Sequence, residues 1–318
     1  MRALRDGEVL VKVYYTLISA GTEKAYFSGS PNTAQRFPTV PGYSSVGTVE
    51  SVGQGVTEFK KGDRVFVAAG GHAGYNIQTC RNIVRIPDNV SFQEAVFTRV
   101  ASFPLLAIRR AELEIGESVV IVGLGMLGLF GVQIAHLAGA CPVIGIGNRE
   151  IRQKKAKNYG AEMVLSPDDA NLEKKILDFT YQKTGIKGAN VVIETSGTES
   201  GLISSVKYTS SFARVMINGC NRVMTQPIDF YRYVHLRGVS LIGAHDHTRK
   251  AYNSAHGNWT AKRDYITLLN LMSDGRIDAQ DMVGEIVSPN EAAETYERLL
   301  NDREFPLGVL FDFEHFSY

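Results

Sequence analysis

Hydrophobic and polar positions follow two rhythms along this chain. Across residues 1–100 the runs alternate: Val9–Tyr15 (VLVKVYY), Ser45–Val52 (SVGTVESV) and Asp63–Ala68 (DRVFVA) each read as a strand with one buried face, punctuated by Pro, Gly and Asn. Residues 92–113 read as helices, with Phe103-Pro104 as an interruption because proline breaks the helical ladder. From about residue 116 short apolar runs alternate with amphipathic stretches. Strands are predicted at Val119–Val122, Val143–Ile146, Met163–Leu165, Val191–Glu194, Arg214–Ile217 and Val239–Ile242, with helices between, among them Arg149–Tyr159 and Asn171–Lys183. That order implies a doubly wound parallel sheet. The tail reads as helix Ala261–Met272, strand Met282–Val287, helix Pro289–Leu300 and strand Gly308–Phe313.

One stretch needs a decision. No Asp, Glu, Lys or Arg occurs from Ser118 to Asn148, long enough for a membrane helix. Its interior argues for a strand–turn–helix–strand unit instead. Ser118–Val122 is β-branched, three glycines follow, Leu129–Leu137 has helical character, and Cys141–Ile146 is a second apolar strand. A membrane helix would leave the glycine spacing unexplained.

Composition narrows the class. The chain has 318 residues, 44% hydrophobic and 21% charged, which excludes wholesale disorder and suits two cores. The net charge of +1 offers no electrostatic case for nucleic acid or an anionic membrane. Cys80, Cys141 and Cys220 are too few and too widely spaced for a disulfide framework, which points to a reducing, cytoplasmic setting. The first eight residues mix charges of both signs without an apolar core, unlike a secretory signal. Seven of the 31 glycines fall between Gly123 and Gly147.

Gly123, Gly125 and Gly128 follow a predicted strand and open a predicted helix. The three serve a tight turn, close approach to a pyrophosphate, and close helix–strand packing, while the helix N-terminus attracts phosphate. This is a dinucleotide fingerprint in its full context. An NAD site wants an acid about 20 residues further on. Here Gly147, Asn148 and Arg149 occupy that region. A glycine leaves room and Arg149 offers a bidentate partner for a 2′-phosphate, so the expected cofactor is NADP(H).

With the fingerprint in place, the chain resembles the medium-chain dehydrogenase/reductase superfamily, in its zinc alcohol/sorbitol dehydrogenase branch. The carriers are Gly7–Val13 (GEVLVKV), Gly21-Thr-Glu23, Pro41-Gly42 with Gly47, Gly62–Val65 (GDRV), the glycine fingerprint, and Gly147-Asn-Arg149, which is similar to NADP-dependent members. The resemblance spans nearly the whole chain. It implies an α/β protein with a GroES-like β-barrel catalytic domain (1–105 and 250–318) and a Rossmann domain (106–249). It also implies an active site in the cleft between them, and assembly as a homodimer or homotetramer. By position, Met126 and Leu127 offer amides to the pyrophosphate and Arg152 reaches the adenosine ribose. Ser196, Gly219 and His245 line the carboxyl ends of strands, where such sheets bind ligands.

The resemblance fails at the metal. The family's catalytic-zinc ligands fall at Ala20, at Tyr43 (followed by Ser44) and near Thr98 or Arg99, none of them a good zinc donor. The structural-zinc lobe is missing too, since residues 68–80 contain only Cys80. No metal is expected. His245-Asp-His247 could bring two imidazoles to one face of a strand, but no third ligand is evident. Trp259 beside His256 decides nothing by itself, and His136 reads as a packed residue.

Without zinc, side chains must handle the proton and the developing alkoxide. Thr22 stands where the family has a proton-relay hydroxyl. Tyr43 either donates a proton or fills the space of the lost ligand. Arg99 could stabilise negative charge, Glu23 could pair with Arg99 or a substrate hydroxyl, and His72 sits on a glycine loop, Gly70–Gly74. The expected function is zinc-independent, NADPH-dependent hydride transfer to or from a carbonyl or alcohol of a polyol-, sugar- or ketone-like small molecule. The alternatives are a quinone or enone reductase and a non-catalytic NADPH-binding protein. Because family members begin with a strand before the segment matching Gly7–Val13, an exposed barrel edge at Val9–Tyr15 is also expected.

Overall fold

The computed structural model describes residues 2–33, 37–249 and 259–316. His256 and the expected domain boundary at residue 250 lie outside them. The chain forms two compact units, one of Met1–Ser102 with Ala261–Tyr318, the other of Phe103–Thr260.

The first unit opens with β1 (Glu8–Leu17) and α1 (Ala20–Phe27), followed by β2 (Ser45–Val52), β3 (Arg64–Val67), β4 (Tyr75–Thr79) and β5 (Ile83–Arg85). Then come α2 (Phe92–Ala95), started by a Ser91/Glu94 capping box, and α3 (Thr98–Ala111), within which the unit boundary falls. The second unit alternates β6 (Val119–Val122), α4 (Met126–Leu137), β7 (Val143–Ile146), α5 (Glu150–Asn158), β8 (Met163–Leu165), α6 (Leu172–Thr184), β9 (Ala189–Glu194), α7 (Glu199–Ser205), β10 (Thr209–Ile217) and β11 (Ser240–Gly243). The chain returns to the first unit with α8 (Ala261–Ser273), β12 (Val283–Val287), α9 (Ala292–Asn301) and β13 (Gly308–Asp312).

The first unit's sheet is seven-stranded, in the order β12-β13-β1-β2-β3-β5, with β4 also on β1. Alternation in β1 works as read: Val9, Val11 and Val13 turn inward and pack with Val49, Val65, Ile83, Val309 and Phe311. The expected exposed edge does not exist. One side of β1 pairs with β2; on the other, Glu8–Lys12 pair with β4 and Tyr15–Leu17 with β13. A register shift between Val13 and Tyr15 accompanies the division of that side between two partners. A strand from the far end of the chain, β13, helps complete that edge. Gly47 sits at this irregularity: a Cβ there would overlap the Lys12 carbonyl oxygen.

The second sheet runs β11-β10-β9-β6-β7-β8, all parallel, the doubly wound order. All four residues of β6 are buried, as expected of a strand covered on both faces. Val120, Val122, Ile144, Ile146, Val192, Val215 and Ile176 form its core. Among the described residues no helix is long and apolar enough to cross a membrane. The expected interruption at Phe103-Pro104 is corrected: α3 continues through Pro104. The lost N–H costs one ladder bond, and burial of the helix's apolar face outweighs it, with Val100, Ala101, Leu105, Ala107 and Ile108 all buried.

Candidate active site

Glu23 organises the polar interior of the first unit. It lies on α1 and reaches back to that helix's start, where Oε1 accepts from the Ser19 backbone N–H at 2.8 Å. Oε2 accepts from the Tyr296 hydroxyl at 2.6 Å and lies 3.2 Å from His72 Nε2. On the far side of the ring, Nδ1 is 2.6 Å from Thr16 Oγ1. With Nε2–H donating to the carboxylate, Nδ1 accepts the Thr16 proton, and every member of the row has a partner. The expected Glu23–Arg99 pairing is corrected by this arrangement. Arg99 instead donates to the Tyr265 hydroxyl, with its guanidinium 5.9 Å from the Tyr43 ring centroid and 5.7 Å from that of Tyr265.

Tyr43 joins the same cluster. Its hydroxyl bonds the Ser19 hydroxyl, and Thr22 also hydrogen-bonds it. Burial pushes the phenol up to about 12, helped by the charge of Glu23 and opposed by the Ser19 bond and Arg99. Burial likewise raises Tyr296, reinforced by the adjacent Glu23. The loop carrying His72 is held by the His72 N–H to Pro41 carbonyl bond of 2.9 Å. Gly42, at φ +95, lies so close that a Cβ would come within 2.9 Å of the imidazole. The structure therefore brings Thr22, Glu23, Tyr43, His72 and Arg99 into one region and adds Thr16, Ser19, Tyr265 and Tyr296. Ser19 was legible as the neighbour of the Ala20–Glu23 segment. Thr16 is equally near, at the end of β1, whereas Tyr265 and Tyr296 lie on elements remote in sequence.

The donor chemistry here does not fit a catalytic zinc. Ala20 has no donor, Tyr43 is a protonated phenol engaged with Ser19, and Arg99 is a cation. Among the described residues no three His, Cys, Asp or Glu side chains converge on a metal position. His245 and His247 approach each other, ring centroids 4.8 Å apart, but on a short 3-10 turn rather than a strand. The His245 ring accepts from the His247 N–H at 3.3 Å.

In the second unit the residues expected to hold a dinucleotide gather at the carboxyl ends of parallel strands. Gly125 precedes the first residue of α4, so the amides of Met126, Leu127 and Gly128 lie in a first turn without helical acceptors. Gly123, at φ +96, packs on the next loop: a Cβ would lie 2.8 Å from Ser196 Cα. A Cβ on Gly128 would overlap the Gly123 carbonyl oxygen, which accepts from Thr195 Oγ1 at 2.8 Å. Asn148 and Arg149 follow β7, Arg149 capping α5, and Arg152 lies in its first turn. Gly219 follows β10 and His245 follows β11. Gly147 also packs closely: a Cβ there would come within 2.8 Å of the Leu124 side chain, so a larger residue would have to displace it. Trp259 stacks under Arg109, guanidinium to ring centroid 3.8 Å.

Residues 5–101 match the alcohol dehydrogenase GroES-like domain, and residues 127–257 match the zinc-binding dehydrogenase domain. A quinone oxidoreductase of Rattus norvegicus is 31% identical over 76% of this chain and 74% of its own length. The chain belongs to the medium-chain dehydrogenase/reductase superfamily. Its fold is the GroES-like domain with a Rossmann sheet, and its class is oxidoreductase. A D-guloside 3-dehydrogenase of Shigella flexneri is 26% identical over 84% of this chain and 76% of that protein. Among solved structures, an oxidoreductase/dehydrogenase of unknown specificity from Escherichia coli superposes with a TM-score of 0.84 at 22% identity, covering 98% of this chain and 93% of that one.

Proposed function

We propose that this member of the superfamily is a zinc-independent, NADP(H)-dependent oxidoreductase acting on the carbonyl or alcohol of a polyol-, sugar- or ketone-like small molecule. The observation that carries the reading is the Tyr43 hydroxyl, bonded to Ser19 at a position where the family holds a zinc ligand. When bound, the nicotinamide supplies or accepts the hydride. The chain's own residues handle the proton: Tyr43 stays protonated at neutral pH and donates in the direction of reduction, Thr22 and Ser19 orient its hydroxyl, and Arg99 stabilises negative charge beside it. Thr16, Glu23, His72 and Tyr296 hold α1 and the His72 loop in register behind Ser19.

Arg149 and Arg152, on the segment after β7, support a 2′-phosphate partner and hence NADPH over NADH. Likeness to a D-guloside 3-dehydrogenase supports a hydroxylated, sugar-like substrate. Likeness to quinone oxidoreductases favours a second reading, reduction of a quinone or enone. The same proposal takes the protein to act in the cytoplasm as a homodimer or homotetramer.

A screen of sugar ketones, simple ketones, quinones and enones, followed at the nicotinamide absorbance with NADPH and NADH, tests these readings. Turnover of sugar ketones with NADPH supports the first, and turnover of quinones or enones alone supports the second. Equal or better efficiency with NADH overturns the NADPH assignment, and activity that requires stoichiometric zinc overturns the zinc-independent one.

A further inference from the structure

The glycine turn after β6 is pinned by a hydroxyl from another loop. Gly123 sits at φ +96, with no side chain to limit its backbone. Its N–H donates to the carbonyl of Ile146, the last residue of β7, at 2.8 Å. Its carbonyl accepts from Thr195 Oγ1 at 2.8 Å. Thr195 directly follows β9, and its N–H extends the β6–β9 ladder by one bond, to the Val122 carbonyl at 2.9 Å. The hydroxyl lies 3.0 Å from that same oxygen, so its single proton is shared between two successive carbonyls. Thr195 thus straddles the last residue of β6 and the first residue of the turn.

The loop that presents this hydroxyl is itself held. Glu194, the last residue of β9, is buried. Its Oε1 accepts from the Ser196 N–H at 2.7 Å, the Gly197 N–H at 3.0 Å and the Ser196 hydroxyl. The Glu194 backbone carbonyl accepts from the Asn218 and Gly219 N–H groups at 3.0 and 2.7 Å. Thr195 therefore stands between two residues whose backbones are fixed, and its hydroxyl reaches Gly123 from a braced position.

We infer that Thr195 is a positioning residue for dinucleotide binding: its hydroxyl fixes the Gly123 carbonyl and, through it, the amides of the turn that receive the pyrophosphate. The inference rests on the dinucleotide reading of that sheet edge. The Gly123–Leu124 peptide is trans, so its carbonyl and its N–H point in opposite directions. Holding the carbonyl toward Thr195 turns the Leu124 N–H away from the loop after β9. Gly128 packs on the same carbonyl oxygen, where a Cβ would overlap it, so the carbonyl also sets how closely the first turn of α4 approaches. Without the hydroxyl, a peptide that only glycine's freedom permits loses one of its restraints. The turn must then be ordered by the dinucleotide itself, and affinity falls.

The test measures NADPH and NADH binding by cofactor fluorescence in the wild type, in Thr195→Val, which keeps the branched shape without the hydroxyl, and in Thr195→Ser, which keeps the hydroxyl without the methyl. Thr195→Val should raise the Kd about three- to tenfold, the loss of one hydrogen bond. The factor should be the same for NADPH and NADH, because both carry the pyrophosphate that the turn faces. Thr195→Ser should stay within about twofold of the wild type. An unchanged Kd in Thr195→Val overturns the inference, and so does a Thr195→Ser as weak as Thr195→Val, since the methyl and not the hydroxyl would then be responsible. An effect confined to NADPH also overturns it, because it would place the action of Thr195 at the 2′-phosphate. Should Thr195→Val fail to fold, Thr195→Ala decides by the same criteria. Failure of the wild type to bind either nicotinamide dinucleotide would instead overturn the function proposed above, and this inference with it.

Discussion

The Glu23 carboxylate and the His72 imidazole meet 3.2 Å apart with side chains only 1% and 9% exposed. A buried pair of this kind holds only if its remaining hydrogen-bonding positions are filled, and here they are, by Ser19, Tyr296 and Thr16. The pair fastens α1, the loop before β4 and α9 behind the Tyr43 hydroxyl.

Replacing Glu23 by Ala leaves three donors, one buried and two half-buried, without an acceptor. The expected loss is about 3 kcal/mol of unfolding free energy or more, read from urea denaturation. Glu23→Gln, which keeps the shape and one acceptor, should lose less. Equal stability of Glu23→Ala and the wild type would show that the row carries no structural load.

Tyr43→Phe should remain folded and lose about 10²- to 10⁴-fold in the rate of carbonyl reduction. The apparent KM for the dinucleotide should change little, because removing a proton donor lowers the chemical step without removing a group assigned to dinucleotide binding. Single-turnover absorbance measurements with saturating substrate report this split, and an unchanged rate removes Tyr43 as the proton donor.

The pH dependence of the same residue follows from its environment. Burial raises the phenol from an ordinary value of 10.0 to about 12. A raised pKa means that the fold favours the protonated form. Tyr43 therefore stays a donor beyond about pH 10, and its stabilising effect, full below the ordinary value of 10.0, declines above it and is gone once pH has risen through about 12. The wild-type minus Tyr43→Phe ultraviolet difference spectrum should show phenolate appearing near that upper value. Phenolate appearing near the ordinary value would contradict the burial argument.

Gly147 invites a charge swap to convert cofactor preference, and the structure predicts that the simple swap fails. Gly147→Asp places a Cβ against Leu124 and should cost about 1–3 kcal/mol. Combined with Leu124→Ala, which removes the Cγ and Cδ1 contacts at 2.9 Å and keeps the Cβ contact at 2.8 Å, the new side chain gains part of the space it needs, so the double variant should be more stable than the sum of the two single effects by about 0.5–3 kcal/mol. Strict additivity in thermal or urea unfolding would show that Leu124 does not set the identity of residue 147.

Arg149→Ala should raise the KM for NADPH about tenfold or more, the loss of one charged hydrogen-bonding partner, while the KM for NADH changes less than about twofold. Equal effects on the two dinucleotides would assign Arg149 to a role other than 2′-phosphate binding.

Much of the second unit could be read directly from the chain. The strands at 119–122, 143–146 and 163–165 coincide with β6, β7 and β8, because parallel strands buried on both faces leave continuous apolar runs. The glycine turn was legible for a related reason: its geometry is local, and only glycine meets it. The short strands β4 and β5 and the helices α1 and α7 escaped notice, since none is long enough to show a period. Glu194 was visible as the acid ending an apolar run, but its burial was not.

The first unit's site was legible only as a set of separate residues. Glu23 finds His72 across 49 positions and Tyr296 across 273, and nothing in the local pattern of either segment announces the other. The same holds for the edge of β1, which the sequence leaves apparently bare and which β4 and β13 cover. The sequence by itself determined where strands, helices and the glycine turn form, because these depend on side-chain periodicity and backbone freedom within a few residues. Tertiary structure alone decided which groups share a proton, that Leu124 crowds residue 147, and which strand closes the sheet. Those outcomes depend on packing and hydrogen bonding between segments that are neighbours only after the chain has folded.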